Sequence, residues 1–84
     1  MTLPTIHRNG TSAKDLKAGY DAAAEALEAF ADTFGNIEFN SRDYYVQGSE
    51  AWTKAIEERY AIHTKVKEIA IYLQTIREHL YAND

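Results

Sequence analysis

Two short polar stretches hold the side chains best suited to chemistry. The first is His7-Arg8-Asn9-Gly10-Thr11-Ser12, followed by Lys14. If a helix starts just after it, unsatisfied backbone N–H groups and a positive partial charge face these residues. Glycine lets backbone approach closely, Thr11 and Ser12 add hydroxyls, and Arg8 and Lys14 add full charges. Such a set suits a phosphate or a carboxylate, with His7 and Asn9 reading polar edges. A turn at Asn9-Gly10 and a helix cap at Ser12 explain three of these residues without any ligand. They leave His7 and Arg8 unexplained. The second stretch is Asn40-Ser41-Arg42-Asp43-Tyr44-Tyr45, with Gln47. Arg42 is able to grip phosphate through two hydrogen bonds, and Tyr44 or Tyr45 to stack on a base or ring. Asp43 is able to accept from a sugar hydroxyl or an exocyclic amine. The competing account is local: the tyrosines cover the open end of a helix, and Arg42 pairs with Asp43.

Other chemistry finds little support. The chain has no cysteine, and no G-x-S-x-G, Walker or G-x-G-x-x-G sequence. His63 and His79 lack the Glu three residues earlier that di-metal bundle sites carry; Tyr60 and Ile76 stand there. Both histidines read as surface or seam-edge residues. The expectation is a binding protein with no catalytic residues, no metal and no cofactor.

Eighty-four residues make one domain with a thin stability margin, since a chain this short buries only about 60–65% of its unfolded surface. The formal charge of −4 argues against coating nucleic acid. Its acid excess is local, with Asp15, Asp21, Glu25, Glu28 and Asp32 set against Lys14 and Lys17 over 13–34. No apolar run approaches a membrane span, and the first residues lack a basic-then-apolar leader pattern. A soluble, cytoplasmic protein is expected.

The elements that must position the two stretches are helical. Residues 1–12 form an extended arm, because Pro4 biases Leu3 away from helix. Ser12 caps a helix predicted over 13–34, with Asp15 in its first turn. Its seam is Leu16, Tyr20, Ala23, Leu27, Phe30 and Phe34, spaced 4, 3, 4, 3, 4. Gly19 interrupts good helix formers, which implies tight packing or tolerance. Gly35 reads as a left-handed residue just past the helix end. A connector over 35–49 follows, longer than the roughly 2–8 residues usual between packed helices. Ser49 is predicted to cap the second helix, over 50–81, whose seam is Ile62, Val66, Ile69, Leu73, Ile76 and Leu80. Asn83 and Asp84 read as a frayed tail. The second helix would outrun the first by about 15 Å. Either the connector folds back over Trp52 and Ile56, or another subunit covers them. The fold class is therefore all-α: two long antiparallel helices with an extended arm, associating into a helical-bundle homo-oligomer, most simply a dimer. An antiparallel dimer would bring the arm of one copy to the connector of the other.

The arm Pro4-Thr5-Ile6-His7-Arg8-Asn9-Gly10-Thr11-Ser12 and the segment Arg42-Asp43-Tyr44-Tyr45 with Gln47-Gly48 resemble a group of small proteins of tailed phages and prophages. Those carry a P-x-I-H-x-N-G-T-S arm and an R-D-Y-Y-x-Q-G segment between two helices. Ser41 and Val46 stand where that pattern has Gly and Pro. The resemblance implies a phage-derived protein. By analogy with phage sponge proteins that sequester nucleotide immune signals, it implies an anti-defence role. The expected ligand-contacting residues are His7, Arg8, Asn9, Thr11, Ser12, Lys14, Arg42, Asp43, Tyr44 and Tyr45. The alternative is a protein–protein interaction module, a virion assembly factor or an inhibitor of a host protein. It would use the acidic face of the first helix and the tyrosine-rich face of the second.

Overall fold

A computed structural model describes residues 1–82; the expected tail Asn83-Asp84 lies outside them. Helix α1 spans Ala13–Gly35 and helix α2 spans Ala51–Ala82. The two run antiparallel, pairing Asp21 with Arg77 near one end and Phe34 with His63 near the other. Among the described residues there is no strand. The hairpin is a rod of 60 × 22 × 19 Å.

Ser12 caps α1 as its residue type dictates: its backbone is extended and its Oγ accepts from the Asp15 N–H at 3.1 Å. The far end of α1 departs from expectation. Gly35 is the last helical residue, and Asn36 follows in right-handed conformation at φ −91°. The reason is that Asn36 N–H reaches the Thr33 carbonyl and Ile37 N–H the Phe34 carbonyl, at 3.1 and 3.2 Å. Those tightened bonds satisfy the last carbonyls, so no left-handed residue is needed. The positive-φ glycine is instead Gly48, at φ 123°, where the chain reverses into α2. Ser49 is likewise displaced from its predicted role. Helix α2 begins at Ala51, and its first bond runs from Lys54 N–H to the Glu50 carbonyl at 3.0 Å. Glu50 therefore flanks the helix, which suits an acid beside the positive end of the dipole.

The core is narrow. Ile76 and Leu80 are 1% and 3% exposed, and Leu73 and Ala55 complete the buried set. The rest of the predicted seam is only half covered or open: Phe30 is 49% exposed, Ile62 39% and Ile69 48%. Two helices meet along one line, whereas an a/d seam in a four-helix bundle is covered from two sides. Gly19 proves tolerant, since an added Cβ there meets nothing within 4 Å.

The connector folds as two 3₁₀ turns, Ser41–Asp43 and Tyr45–Gln47. It packs on α2 through rings. Phe39 and Tyr44 lie 4.7 and 5.6 Å from Trp52 and 5.7 Å from each other. Trp52 is thereby half-buried while Ile56 stays exposed, so the fold-back covers only the first turn of α2. Ile76→Ala or Leu80→Ala is expected to cost about 2–5 kcal/mol. Ile71→Ala, at an exposed position, should stay within about 0.5 kcal/mol. Urea unfolding followed by circular dichroism measures both.

Candidate functional site

The arm is tied down rather than loose. His79, half-buried near the end of α2, places its Nε2 2.8 Å from the Pro4 carbonyl. A carbonyl only accepts, so His79 donates from Nε2. Further along the arm, Gly10 N–H closes a turn on the His7 carbonyl at 3.1 Å. The His7 ring folds over this turn; a Cβ on Gly10 would sit 2.8 Å from its Nε2. Glycine at this position is therefore what admits the ring. His7, Arg8, Asn9, Thr11, Ser12 and Lys14 all lie exposed here, grouped around the start of α1.

Arg42, Asp43, Tyr44 and Tyr45 sit at the opposite end of the rod. Arg42, Asp43 and Tyr45 are exposed, and among the described residues Arg42 and Asp43 form no ion pair. Tyr44 differs: its ring is a wall of the Phe39–Trp52 cluster, as the local account of this stretch anticipates. Beside it is an open depression of about 590 Å³ bounded by Tyr44, Gln47, Gly48, Ser49 and Lys54, with Glu50 and Glu58. Two carboxylates against one ammonium do not favour an anion. One chain thus gathers the arm residues together and the connector residues together, and holds the two groups apart by the length of α1.

Two features were not foreseen from sequence. Arg59 lays its guanidinium over both Phe34 and Phe39, 4.5 and 4.2 Å from the ring centroids. It thus clasps the end of α1 to the connector. At the other end, Asp21 accepts from the Tyr81 hydroxyl and from Arg77 Nε, the latter at 2.8 Å. Lys17 covers the Tyr81 ring at 4.9 Å. These partners are 56 and 60 residues apart in the chain. Only the register of the hairpin brings them together.

Between the helices lies a groove of about 620 Å³. Its floor is apolar: Ala24, Leu27 and Ala31 from α1, and Val66, Ala70 and Leu73 from α2. Asp21, Glu25 and Glu28 line the α1 side, with Gln74 and Arg77 on the α2 side. The periodicity in part shows it, since Asp21, Ala24, Glu28 and Ala31 are spaced 3, 4, 3 and share one stripe. Among the described residues, no group of three His, Asp or Glu is placed to hold a metal ion. Among the described residues, no helix is long and apolar enough to cross a membrane.

The hydrogen bond from Tyr81, and then that from Arg77, lowers the Asp21 carboxyl below its ordinary value of 3.8. The same contact raises the Tyr81 phenol above 10.0. A lowered carboxyl stabilises the fold above its unfolded pKa and loses that contribution as pH falls through the folded one. Asp21→Asn should therefore lower the melting temperature at neutral pH, and the gap from the parent should shrink as pH drops below about 4. Thermal melts from pH 7 to pH 2 check this; a constant gap would mean the carboxylate charge is irrelevant.

Proposed function

No family model, curated protein or solved structure matches this chain. We propose that it is a non-enzymatic binding protein acting through its surfaces, and that its main surface is the acid-edged groove between α1 and α2. The observation that carries this reading is the groove's make-up. An apolar floor of small residues lies along one edge of carboxylates, at the scale of a helix laid between two others. Ala24, Ala31 and Ala70 let another backbone come close, while Leu27, Val66 and Leu73 offer apolar contact. The partner that fits is an amphipathic helical segment of another protein, with an apolar stripe and basic residues along one flank. If the chain is phage-encoded, as the resemblance implies, that partner belongs to the virus particle or to the host. Acidic edges would speed and orient its docking more than they tighten it.

The probe is a synthetic helical peptide with a leucine stripe and a lysine flank, compared with a scrambled peptide of the same composition. Roughly micromolar binding that weakens with salt is expected for the first and not the second. Ala70→Trp fills the groove and should abolish it. Glu25→Lys with Glu28→Lys should weaken it and remove its salt dependence. Equal binding of the scrambled peptide would sink this reading.

A second reading has its own support. Among the described residues, Arg8, Lys14 and Arg42 have no ion-pair partner, so their charges are available to a phosphate-bearing ligand such as a nucleotide immune signal. Sequestration of that kind needs the arm and the connector side by side, with Tyr45 as the exposed stacking ring. Titration calorimetry with a panel of cyclic dinucleotides tests it. Binding lost at least about tenfold in both Arg8→Ala and Arg42→Ala supports a shared site. Binding that survives both variants refutes it.

A further inference from the structure

The side of the hairpin opposite the groove carries an apolar stripe with a few charges on it, Asp15 toward the arm and Glu58 and Lys65 toward the connector. Helix α1 lays Gly19, Ala23, Ala26 and Phe30 along it, spaced 4, 3, 4, and α2 lays Ile62, Ile69 and Tyr72. The large residues among them are exposed: Phe30, Ile62, Ile69 and Tyr72 all face solvent over at least 39% of their surface. The whole chain exposes 6583 Å², whereas a compact monomer of its mass exposes about 5,000 Å². Its radius of gyration is 18.6 Å against about 12 Å for a compact domain of this length. The excess, on the order of 1,500 Å², exceeds the roughly 800 Å² that each partner contributes to a stable interface.

We infer that this face seats a second copy of the chain, turned end for end, with Phe30 of each copy entering a hollow on the other. The hollow, about 210 Å³, is lined by Asp15, Leu16, Gly19, Tyr20, Ala23 and Leu73. It is open because Gly19 has no side chain and nothing else fills the space beside it. Phe30 and Gly19 share one stripe and lie about 16 Å apart along α1. A two-fold axis crossing between Ala23 and Ala26 therefore places both copies' Phe30 rings over both hollows at once, as an isologous interface demands. Charge agrees with this direction. Glu58 and Lys65 share the stripe of Ile62, Ile69 and Tyr72 on the connector half, and Asp15 edges the hollow on the arm half. Turning one copy end for end brings each Lys65 to the same end as the partner's Asp15. A head-to-head arrangement gathers like charges instead.

The arrangement has a functional consequence. Ala13 and Gly35 lie nearly the same distance either side of that axis, so the arm of each copy falls beside the connector of the other. Two composite sites then form, each joining Arg8 and Lys14 of one copy to Arg42 and Tyr45 of its partner. The pairing deepens the small-ligand reading, leaves the groove free on the outer side, and depends on neither.

Sedimentation of the full chain should give twice its mass of 9.5 kDa. Gly19→Leu is the decisive variant. It improves helix propensity and meets open space within its own chain, so helix content by circular dichroism should hold. Filling the hollow should nevertheless weaken the dimer by about 30-fold or more. Phe30→Ala should weaken it similarly. Because the parent has no cysteine, Ala26→Cys should form one intermolecular disulfide with its own copy near the axis. A chain that sediments as a monomer at its highest soluble concentration overturns the proposal. So does a dimer that survives Gly19→Leu, or a dimer in which Ala26→Cys fails to cross-link. Peptide binding by the monomeric Gly19→Leu chain then tests the groove separately.

Discussion

Everything in this structure depends on one line of contact between two helices. Among the described residues only Ala55, Leu73, Ile76 and Leu80 are buried along it, a core far thinner than the two seams could fill. The register of that line is pinned at both ends by polar and aromatic clasps. Asp21 holds Arg77 and Tyr81 at the arm end, and Arg59 lies across Phe34 and Phe39 at the connector end. These clasps are partly exposed, so water and salt screen them, and each is individually modest. Their value is positional. An apolar seam with a heptad repeat accepts a slip of one repeat more readily than a carboxylate accepts the loss of two donors.

The same line of contact divides the surface into two unlike faces. One side carries the carboxylates of α1 along an apolar floor, and the other carries aromatic and branched residues, with Asp15, Glu58 and Lys65 toward its ends. This division follows from the positions of charged residues around a 3.6-residue turn. An acid at Asp21, Glu25 or Glu28 falls on one flank of the Leu16–Tyr20–Leu27 stripe, and Gly19, Ala23 and Phe30 fall on the other. A charged edge suits a partner that must be selected and released, whereas a face with an apolar centre suits a lasting one. The groove and the opposite face are thus suited to different tasks. The outer polar ends, with the docked arm at one and the aromatic connector at the other, lie apart within a single chain.

Much of this was legible in the sequence. The spacing of apolar residues revealed both helices nearly to the residue. Ser12 announced the first cap, because its preference arises within four residues of chain. The long connector with its aromatics marked the start of α2 as the place it folds back upon. Local chemistry misled where a local alternative existed. Gly35 and Ser49 are of the right types for a left-handed end and a cap. The chain instead used tightened backbone bonds at one and Glu50 at the other.

What the sequence determined by itself was periodicity, and with it the elements, their amphipathic faces and the polar character of the arm and connector. What only the tertiary structure decided was register. Register sets Asp21 against Arg77 and Tyr81, lays Arg59 over two rings, and chooses which half of each seam is covered. The physical reason is that helix formation depends on neighbours a few residues away, which a pattern displays. The relative shift of two helices depends on many weak contacts between residues some 30 to 60 positions apart, which no local pattern encodes.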